Sequence, residues 1–523
     1  MPPMRMARAL WISFATLASR LLGLVRSQLF AALVGANAFS DAFVAAFRIP
    51  NLLRDLFAEG ALSSAFVPTF ADYRQNRGVE EAFRLANLVA GLLLLVVGAV
   101  TLVGLLLAAP IVRLLAPGFG GDQTLLAAEL ARIMMPFLLL VSLAAAAMGM
   151  LNAQGRFTAP ALAPALFNVG SIGVGLGLWA AGVGPRAAVI GWSAGTLFGG
   201  LLQLLAQWPS LRATGFRFRP RLRGAGAEPG IRRIAGLMAA AVVGLSATQV
   251  NIVVNTIFAS HESRAVTWLN FAFRLMQFPL GVFGVAIATV AGAGVALRAA
   301  AHDLDGVRDT LGQAMRLVAF LNVPSTVGLV VLASPIIAVV YQHGRFGPED
   351  TAGTAQALIF YAVGLYAYSG VKVLAPAFYA LGEARVPVLG SVLGMVANLL
   401  LNLTLHPVLG YRGVALGTSL AAGANFAVLA VAWKVRHGGF GAAGVWRQLA
   451  RVGLATAVLA SAAWGAHALL LPVAPGRGFA RHALLALVPV AAGAAAYFAA
   501  AKLLGVRELA DVRAALRRRT ARG

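Results

Sequence analysis

Long apolar segments alternate with short polar ones along the whole chain. Fourteen of the apolar runs are long enough, at about 20 residues, to cross a bilayer as a helix. These runs cover 9–34, 40–66, 85–109, 125–151, 160–181, 187–208, 234–258, 265–297, 311–340, 353–380, 386–406, 413–434, 448–471 and 482–505. The pattern predicts an all-α polytopic membrane protein with about 14 transmembrane helices.

The composition agrees with this interpretation. Of 523 residues, 60% are hydrophobic and 11% are charged, and the mean hydropathy is +0.82. A net charge of +24 is also found in nucleic-acid-binding proteins, but most basic residues here lie between apolar runs, which fits membrane topology better. Cysteine is absent, the histidines lack metal-ligand spacing, and there is no Walker loop. We therefore expect no metal, no cofactor and no ATPase activity.

The first apolar run follows two arginines and has to be distinguished from a signal peptide. Arg20 interrupts the run, no small-x-small cleavage site follows, and the helical pattern continues to about Val34. We expect a retained first transmembrane helix. Basic residues outside the apolar runs concentrate on every second connection. This bias predicts an even number of helices with both termini in the cytoplasm.

A weak internal repeat is visible at an offset of about 226 residues. Asn152–Pro160 resembles Tyr379–Pro387, and Gly184–Arg186 resembles Gly410–Arg412. Because six is an even number of crossings, the copies should be parallel repeats about an axis along the membrane normal. The predicted domains are a six-helix lobe at 1–208, a basic cytoplasmic linker at 209–233, a second six-helix lobe at 234–435, and helices 13 and 14 with a basic cytoplasmic tail at 436–523.

Several charged residues lie inside the apolar runs. A charge at the bilayer centre costs about 2.5–3.5 kcal/mol, whereas Leu or Phe returns only about 0.3–0.6 kcal/mol. The basic ones are Arg20, Arg26, Arg48, Arg54, Arg132, Arg274, Arg316 and Lys372. The acidic ones in or near the runs are Asp41, Asp55, Glu59 and Glu129. This surplus of positive charge predicts a water-filled cavity that holds an anion, since guanidinium groups suit bidentate contact with phosphate.

The alternative interpretation of each buried arginine is structural. Arg132 and Arg316 lie near helix ends, where snorkelling accounts for them. Arg20 and Arg26 are about 120° apart on a straight helix, so they share a site only if the cavity is wide or the helix bends at Gly23. Arg54 either pairs with the carboxylates that follow it or points into the cavity.

Other polar residues in the apolar runs allow two interpretations. Asp41 either pairs with a nearby arginine or acts as a protonatable gate. Four asparagines at helical spacing indicate interhelical hydrogen bonds or, alternatively, a cation site: Asn251, Asn255, Asn398 and Asn402. The tail Arg517–Arg519 is typical of an interfacial helix held by anionic lipid.

Five segments resemble the MviN/MurJ family of lipid II flippases, which belongs to the MOP exporter superfamily, and the similarity spans nearly the whole chain. The most specific is the PNLLR…FAEGA motif at Pro50–Ala61. The other four are Ser19–Arg26, Ser40–Phe43, Asn255–Ser260 and Lys372–Tyr379.

The resemblance implies a transporter in the bacterial inner membrane. It would move undecaprenyl-diphosphate-linked disaccharide pentapeptide from the cytoplasmic to the periplasmic leaflet by alternating access. The family's essential arginines match Arg20, Arg26, Arg54 and Arg274, with the implied role of binding the diphosphate, and Ser19 and Asp41 are further matches. Arg48 and Lys372 join the candidate substrate-binding set because of their place inside apolar runs. Helices 13 and 14 would hold the lipid tail.

Three positions depart from the usual family pattern. Ser27, Phe273 and Gln277 stand where many members have acidic residues. The expected cavity is therefore more positive than is usual, which preserves anion binding but argues against switching through those carboxylates. A sodium site is not supported either, because helix 7 has no acidic residue.

Two other classes of function compete with a lipid II flippase. One is another MOP exporter, such as an oligosaccharide-lipid flippase or a drug/cation antiporter, but a cation antiporter should have a carboxylate-rich cavity. The other is a membrane scaffold that recruits cell-wall enzymes, which gives no reason for arginines inside the membrane. The expected partners are lipid II, membrane lipids and cell-wall synthesis or division proteins, and not nucleic acid.

Overall fold

The structure is a computed structural model that describes residues 3–440, 445–474, 476 and 478–510. Every regular element in these ranges is helical. The chain forms two compact units. Unit 1 comprises Met1–Thr267 with Gly344–Phe346, and unit 2 comprises Trp268–His343 with Gly347–Gly523.

Unit 1 is built from helices that follow the apolar runs of the first half of the chain. Its large buried side chains include Phe66, Phe70 and Phe137, which belong to one apolar core. The described helices are α1 (Pro3–Val34), α2 (Ala38–Arg54), a π-helical segment (Asp55–Leu62), α3 (Ser63–Asn76), α4 (Val79–Leu106), α5 (Ala108–Leu115), α6 (Gly121–Met134), α7 (Pro136–Ala153), α8 (Thr158–Ala180), α9 (Pro185–Leu205), α10 (Trp208–Arg212) and α11 (Pro229–Ala259).

The predicted second transmembrane helix, 40–66, is not one regular helix. It begins at a capping box, in which the Asn37 side chain accepts from the backbone of Ser40 and the Ser40 hydroxyl accepts from the backbone of Asn37. Pro50 lies inside α2, and the backbone changes to π-helix directly after Arg54. Such π-helical insertions are rare and are frequent at functional sites.

Unit 2 repeats much of this order. Its described helices are α12 (Ala265–Pro279, whose first three residues belong to unit 1), a π-helical segment (Leu280–Gly284), α13 (Val285–Ala300), α14 (Leu304–Val331), α15 (Ala333–Tyr341), α16 (Pro348–Ala362), α17 (Leu365–Ala380), α18 (Arg385–Leu409), α19 (Tyr411–His437), α20 (Val445–Leu470) and α21 (Phe479–Leu503).

Irregular features of the two halves recur at close to the offset of the sequence repeat. A π-helical segment begins at Asp55 and another at Leu280. A break at Leu107 separates α4 from α5, and a similar break at Leu332 separates α14 from α15. These features lie at the offset of the sequence repeat, and the layout of two six-helix repeats stays a prediction. The proposed symmetry axis stays a prediction.

Eleven helices of the described chain are long and apolar enough to cross a membrane, and the bent pair α16–α17, with an angle of 43°, makes up to twelve. The predicted all-α polytopic membrane protein is thereby confirmed. The two remaining predicted spans correspond to the irregular α2–α3 region and to α11. The total of fourteen therefore stays a prediction.

The extra helices α20 and α21 pack together and against α14 in unit 2. Arg316 of α14 forms an ion pair with Glu508, with Nε 3.3 Å from the carboxylate, whose side chain is 4% exposed. Gln448 also donates to Glu508. Arg316, which we expected to snorkel, therefore anchors the segment after α21.

The predicted basic linker, 209–233, is an ordered part of unit 1. Tyr73 of α3 donates to the Glu228 carboxylate over 2.7 Å, and Arg77 lies 3.9 Å from the same carboxylate. Helix α11 after the linker packs on α3 and on the first π-helical segment. The boundary between the compact units therefore lies later, at Thr267, than the predicted lobe boundary at 234, and the predicted lobes stay a prediction.

Candidate functional site

Helix α1 carries three of the predicted site residues, Ser19, Arg20 and Arg26. The helix continues through Gly23, so the two arginines project from different faces. Arg26 is half-buried, and its guanidinium carbon lies 4.9 Å from the centre of the Phe167 ring on α8. The negative face of the ring attracts the guanidinium and so stabilises the charged form of Arg26.

The neighbouring residues of α1 have different surroundings. The backbone carbonyl of Ser19 accepts a hydrogen bond of 3.1 Å from the Asn168 side chain. Asn168 is buried on α8, so it fixes this turn of α1 against that helix. The Arg20 side chain is exposed. In a membrane-spanning helix, an exposed arginine needs water, a headgroup or an anion beside it.

Helix α2 carries the other two predicted site arginines of unit 1, Arg48 and Arg54. Arg48 donates to the Ile252 carbonyl of α11 over 3.2 Å. Arg54 donates to one oxygen of Asp55 from both Nε and Nη2, at 3.2 and 2.9 Å. The two side chains are 23% and 29% exposed, so the pair is accessible to solvent. Local pairing of Arg54 is thus present, and the side chain of Glu59, the other candidate partner, lies outside the described residues.

Asp41 binds the start of α12 through its whole carboxylate. One oxygen accepts from the Arg264 amide over 2.7 Å. The other accepts from the amide of Thr267 over 2.8 Å and lies 2.6 Å from its hydroxyl. Asp41 is 1% exposed, and its bonds satisfy amides that the first turn of a helix leaves without partners. Its proposed role beside the substrate stays a prediction.

Further bonds join the connections that the charge pattern predicts on the outer side. The Gly118 amide donates to the Ser260 hydroxyl over 3.0 Å. Arg345 caps the carboxyl end of α1. Its amide donates to the Ala32 carbonyl over 2.9 Å, and its guanidinium donates to the Leu33 carbonyl over 2.6 Å. Together with the Asp41 contacts, these bonds form what we call the outer-loop network, which consists of Ala32, Leu33, Asp41, Gly118, Ser260, Arg264, Thr267 and Arg345.

The remaining predicted site residues belong to unit 2. Arg274 is half-buried on α12, and its positive charge interacts with the Tyr341 hydroxyl. Phe273, in one of the positions that depart from the family pattern, packs edge-on against Tyr361 with ring centres 5.2 Å apart. Lys372 is exposed on α17.

The structure thus places five of the predicted basic and hydroxyl side chains on α1 and α2, all within unit 1. It also identifies residues that sequence reasoning did not select, namely Phe167, Asn168, Thr267 and Arg345. For Thr267 a signal existed, because it lies 226 residues after Asp41, at the repeat offset. The others have no signature of their own in a single sequence.

Comparisons with known proteins agree with one another. A family model described as Lipid II flippase MurJ matches residues 30–481. A Vibrio cholerae protein named "Probable lipid II flippase MurJ" is 34% identical over 522 residues, covering 96% of this chain and 97% of that protein. A Burkholderia cenocepacia protein named "Lipid II flippase MurJ" is 33% identical over 447 residues, covering 83% and 84%.

Solved structures show the same fold. A structure titled "Lipid II flippase MurJ, inward closed conformation" aligns with a TM-score of 0.76 at 24% identity, over 94% of this chain and 98% of that one. An inward-facing MATE transporter of the MOP superfamily aligns with a TM-score of 0.67 at 16% identity, over 80% and 94%. Identity and coverage of the named relatives confirm the resemblance seen in the sequence, and the chain belongs to the lipid II flippase MurJ family.

Proposed function

We propose that this protein translocates lipid II, the undecaprenyl-diphosphate-linked peptidoglycan precursor, from the cytoplasmic to the periplasmic leaflet. The observation that carries the proposal is family membership over 96% of the chain, combined with arginines inside its apolar helices. The activity is transport between leaflets, and it would take place in the bacterial cytoplasmic membrane with both termini inside.

The substrate's diphosphate is the group that the arginines would bind. Arg20, Arg26 and Arg54 lie in unit 1, and Arg274 lies in unit 2. The Phe167 ring lies against the Arg26 guanidinium and would hold it in position beside the diphosphate. Arg48 and Ser19 would position α1 and α2, since both are tied to neighbouring backbone or side chains.

The acidic residues of this region support an anion as cargo. Both oxygens of Asp41 are bonded to Arg264 and Thr267, so this carboxylate is not available to neutralise the cavity arginines. Asp55 accepts from Arg54, and over 9–66 the sequence holds four arginines (Arg20, Arg26, Arg48 and Arg54) against three acidic residues (Asp41, Asp55 and Glu59). The net charge of this region is therefore positive, and a bound diphosphate would neutralise it.

Alternating access requires that one end of the pathway closes while the other opens. The outer-loop network would hold the outer connections of unit 1 together when the periplasmic end is closed, because its bonds join the end of α1 to the connection before α16, α2 to the start of α12, and the connection after α5 to the residue after α11. Opening towards the periplasm would break these bonds. Each of them can re-form without a change in covalent structure, which suits a reversible gate.

The rival functions predict different behaviour in cells. A scaffold needs the protein but not the arginines inside its apolar helices, whereas a flippase needs both. Arg20→Ala and Arg274→Ala should therefore fail to support growth of a strain depleted of its own lipid II flippase. Arg113→Ala, which removes an exposed arginine outside the predicted site, is the matched control and should support growth.

Protein abundance has to be measured in the same cells. Loss of growth with unchanged abundance is the expected outcome for the two site variants. Full growth of both variants would reject the flippase mechanism and favour a scaffold for cell-wall enzymes.

A further inference from the structure

A row of arginines in the linker is not used by the proposed transport site. Phe216–Arg223 follows α10 without forming a helix. Four arginines alternate along it with apolar residues or proline, and we call the four the arginine strand: Arg217, Arg219, Arg221 and Arg223. All four are exposed, and so are Phe218 and Leu222, at 38% and 48%. The exposed surface of the segment is both cationic and apolar.

The arginine strand is held in place by α4. The Asn87 side chain accepts from the Arg219 amide over 2.7 Å and donates to the Arg217 carbonyl over 3.1 Å. The Asn87 carbonyl accepts from the Arg221 amide over 3.1 Å. At Gly91, an added Cβ would lie 2.8 Å from the carbonyl carbon of Arg221, so the backbones touch there. The segment is therefore docked, and its arginines have fixed positions.

The docking point lies where α4 becomes apolar. Charged residues occupy only the first turns of the helix, at Glu80, Glu81 and Arg84, and none follows up to Leu106. Helix α4 is a candidate membrane span with exposed apolar side chains such as Leu95. Because hydrocarbon begins where charged residues end, the arginine strand is expected at the depth of the lipid headgroups.

The arginines of the strand have no carboxylate partner among the described residues. Nearby ion pairs instead involve other arginines, such as Arg84 with Glu81 and Arg233 with Asp72. Beside the strand is a cavity of about 650 Å³ lined by Trp208, Arg212, Gly215, Phe216, Arg217 and Phe218. Its walls combine two guanidinium groups with three aromatic rings, which suits a phosphate joined to an apolar chain.

We propose that the arginine strand and this cavity bind the headgroups of anionic phospholipids of the surrounding membrane. The exposed Phe218 and Leu222 would enter the interface, and the guanidinium groups would contact the phosphates. Basic residues at a membrane surface attract anionic lipid by about fivefold each, which corresponds to about 1 kcal/mol. The bound lipid would fasten the linker between α10 and α11 to the membrane surface. None of the residues of this site is among the candidate arginines of α1 and α2.

The absence of cysteine allows a direct test. Ala213→Cys places one labelling position beside the cavity, where the native side chain is exposed. The labelled protein is reconstituted in phosphatidylcholine vesicles that contain a trace of headgroup-spin-labelled phosphatidylglycerol or phosphatidylcholine. Fluorescence quenching should report a local concentration at least about fivefold higher for the anionic lipid, and high salt should reduce this ratio.

Two sets of variants distinguish lipid enrichment caused by the arginine strand from enrichment caused by positive charge elsewhere on the protein. Replacing all four arginines and Arg212 by Gln should bring the ratio close to one, whereas replacing the five by Lys should keep most of it. The matched control replaces the exposed Arg113, Arg186 and Arg412 by Gln and should leave the ratio unchanged.

Three results would overturn the proposal. These are equal quenching by the two lipids in the parent protein, a preserved ratio in the five-Gln variant, and displacement of the labelled phosphatidylglycerol by a stoichiometric amount of lipid II. The last would assign the site to the transported substrate. The first two leave the transport proposal intact, because the candidate arginines of α1, α2 and α12 are unchanged.

Discussion

Replacement of Asp41 by Asn tests the outer-loop network without changing the volume of the side chain. The carboxylate accepts the amides of Arg264 and Thr267 and also contacts the Thr267 hydroxyl. Asn keeps one acceptor oxygen, and its amino group would face a backbone N–H. At least one hydrogen bond is therefore lost, and the remaining ones have a neutral acceptor in place of a carboxylate.

The size of the effect follows from these contacts. A hydrogen bond to a charged group contributes about 1.5–3 kcal/mol, and a buried group left without a partner adds about 1–3 kcal/mol. Allowing for relaxation, opening of the network should become easier by about 2–4 kcal/mol. Since 1.4 kcal/mol is a factor of ten, this is about a 30- to 700-fold change in the opening equilibrium.

Amide hydrogen exchange measures this equilibrium locally. Peptides that cover residues 262–268 should exchange about 30- to 700-fold faster in Asp41→Asn than in the parent protein. Asp303→Asn is the matched control, because Asp303 also caps a helix, accepting from the Gly306 amide over 2.8 Å. The control should speed exchange around Gly306 only. A change of less than about threefold at 262–268 would refute the account of the network.

Three further variants test other contacts. Phe167→Leu removes the ring beside Arg26, worth about 0.5–1 kcal/mol, and should weaken lipid II binding about two- to fivefold in a titration of purified protein; unchanged affinity would contradict this. Asp55→Asn releases the preceding arginine from its carboxylate and should tighten binding in the same titration, whereas weaker binding would count against an anionic cargo. Arg316→Ala leaves Glu508 buried without its cation and should reduce the free energy of unfolding by about 1–3 kcal/mol, measured as a lower midpoint of thermal unfolding, with recovery when Glu508→Gln is added; an unchanged midpoint would refute that role.

Apolar periodicity was enough to predict most of the fold. A run of about 20 apolar residues has few alternatives to a membrane helix, and eleven of the predicted runs meet this description in the described chain. One of the exceptions, 40–66, has a local cause, because Pro50 lies inside α2 and the backbone then becomes π-helical. Proline indicated an irregular helix, but no sequence rule gave the π-helical geometry.

The candidate site was less predictable, because several of its contacts are made by backbone groups. Charge inside apolar runs selected Arg26 and Arg54, and the structure supplies the Phe167 ring and the Asp55 carboxylate beside them. The bonds of Asp41 go to amides more than 220 residues away, and backbone amides have no identity in a sequence. The docking of the linker likewise depends on one side chain, Asn87, within an otherwise apolar stretch.

The most direct test of the central claim is the affinity of purified protein for lipid II with and without Arg26. Arg26→Ala should weaken binding about 10- to 150-fold, because it removes one charge-assisted contact, while the exposed control Arg113→Ala should bind like the parent protein. Equal affinity in Arg26→Ala, or equal binding of a polyprenyl lipid without the diphosphate, would contradict the claim that the arginines hold the substrate through its phosphates.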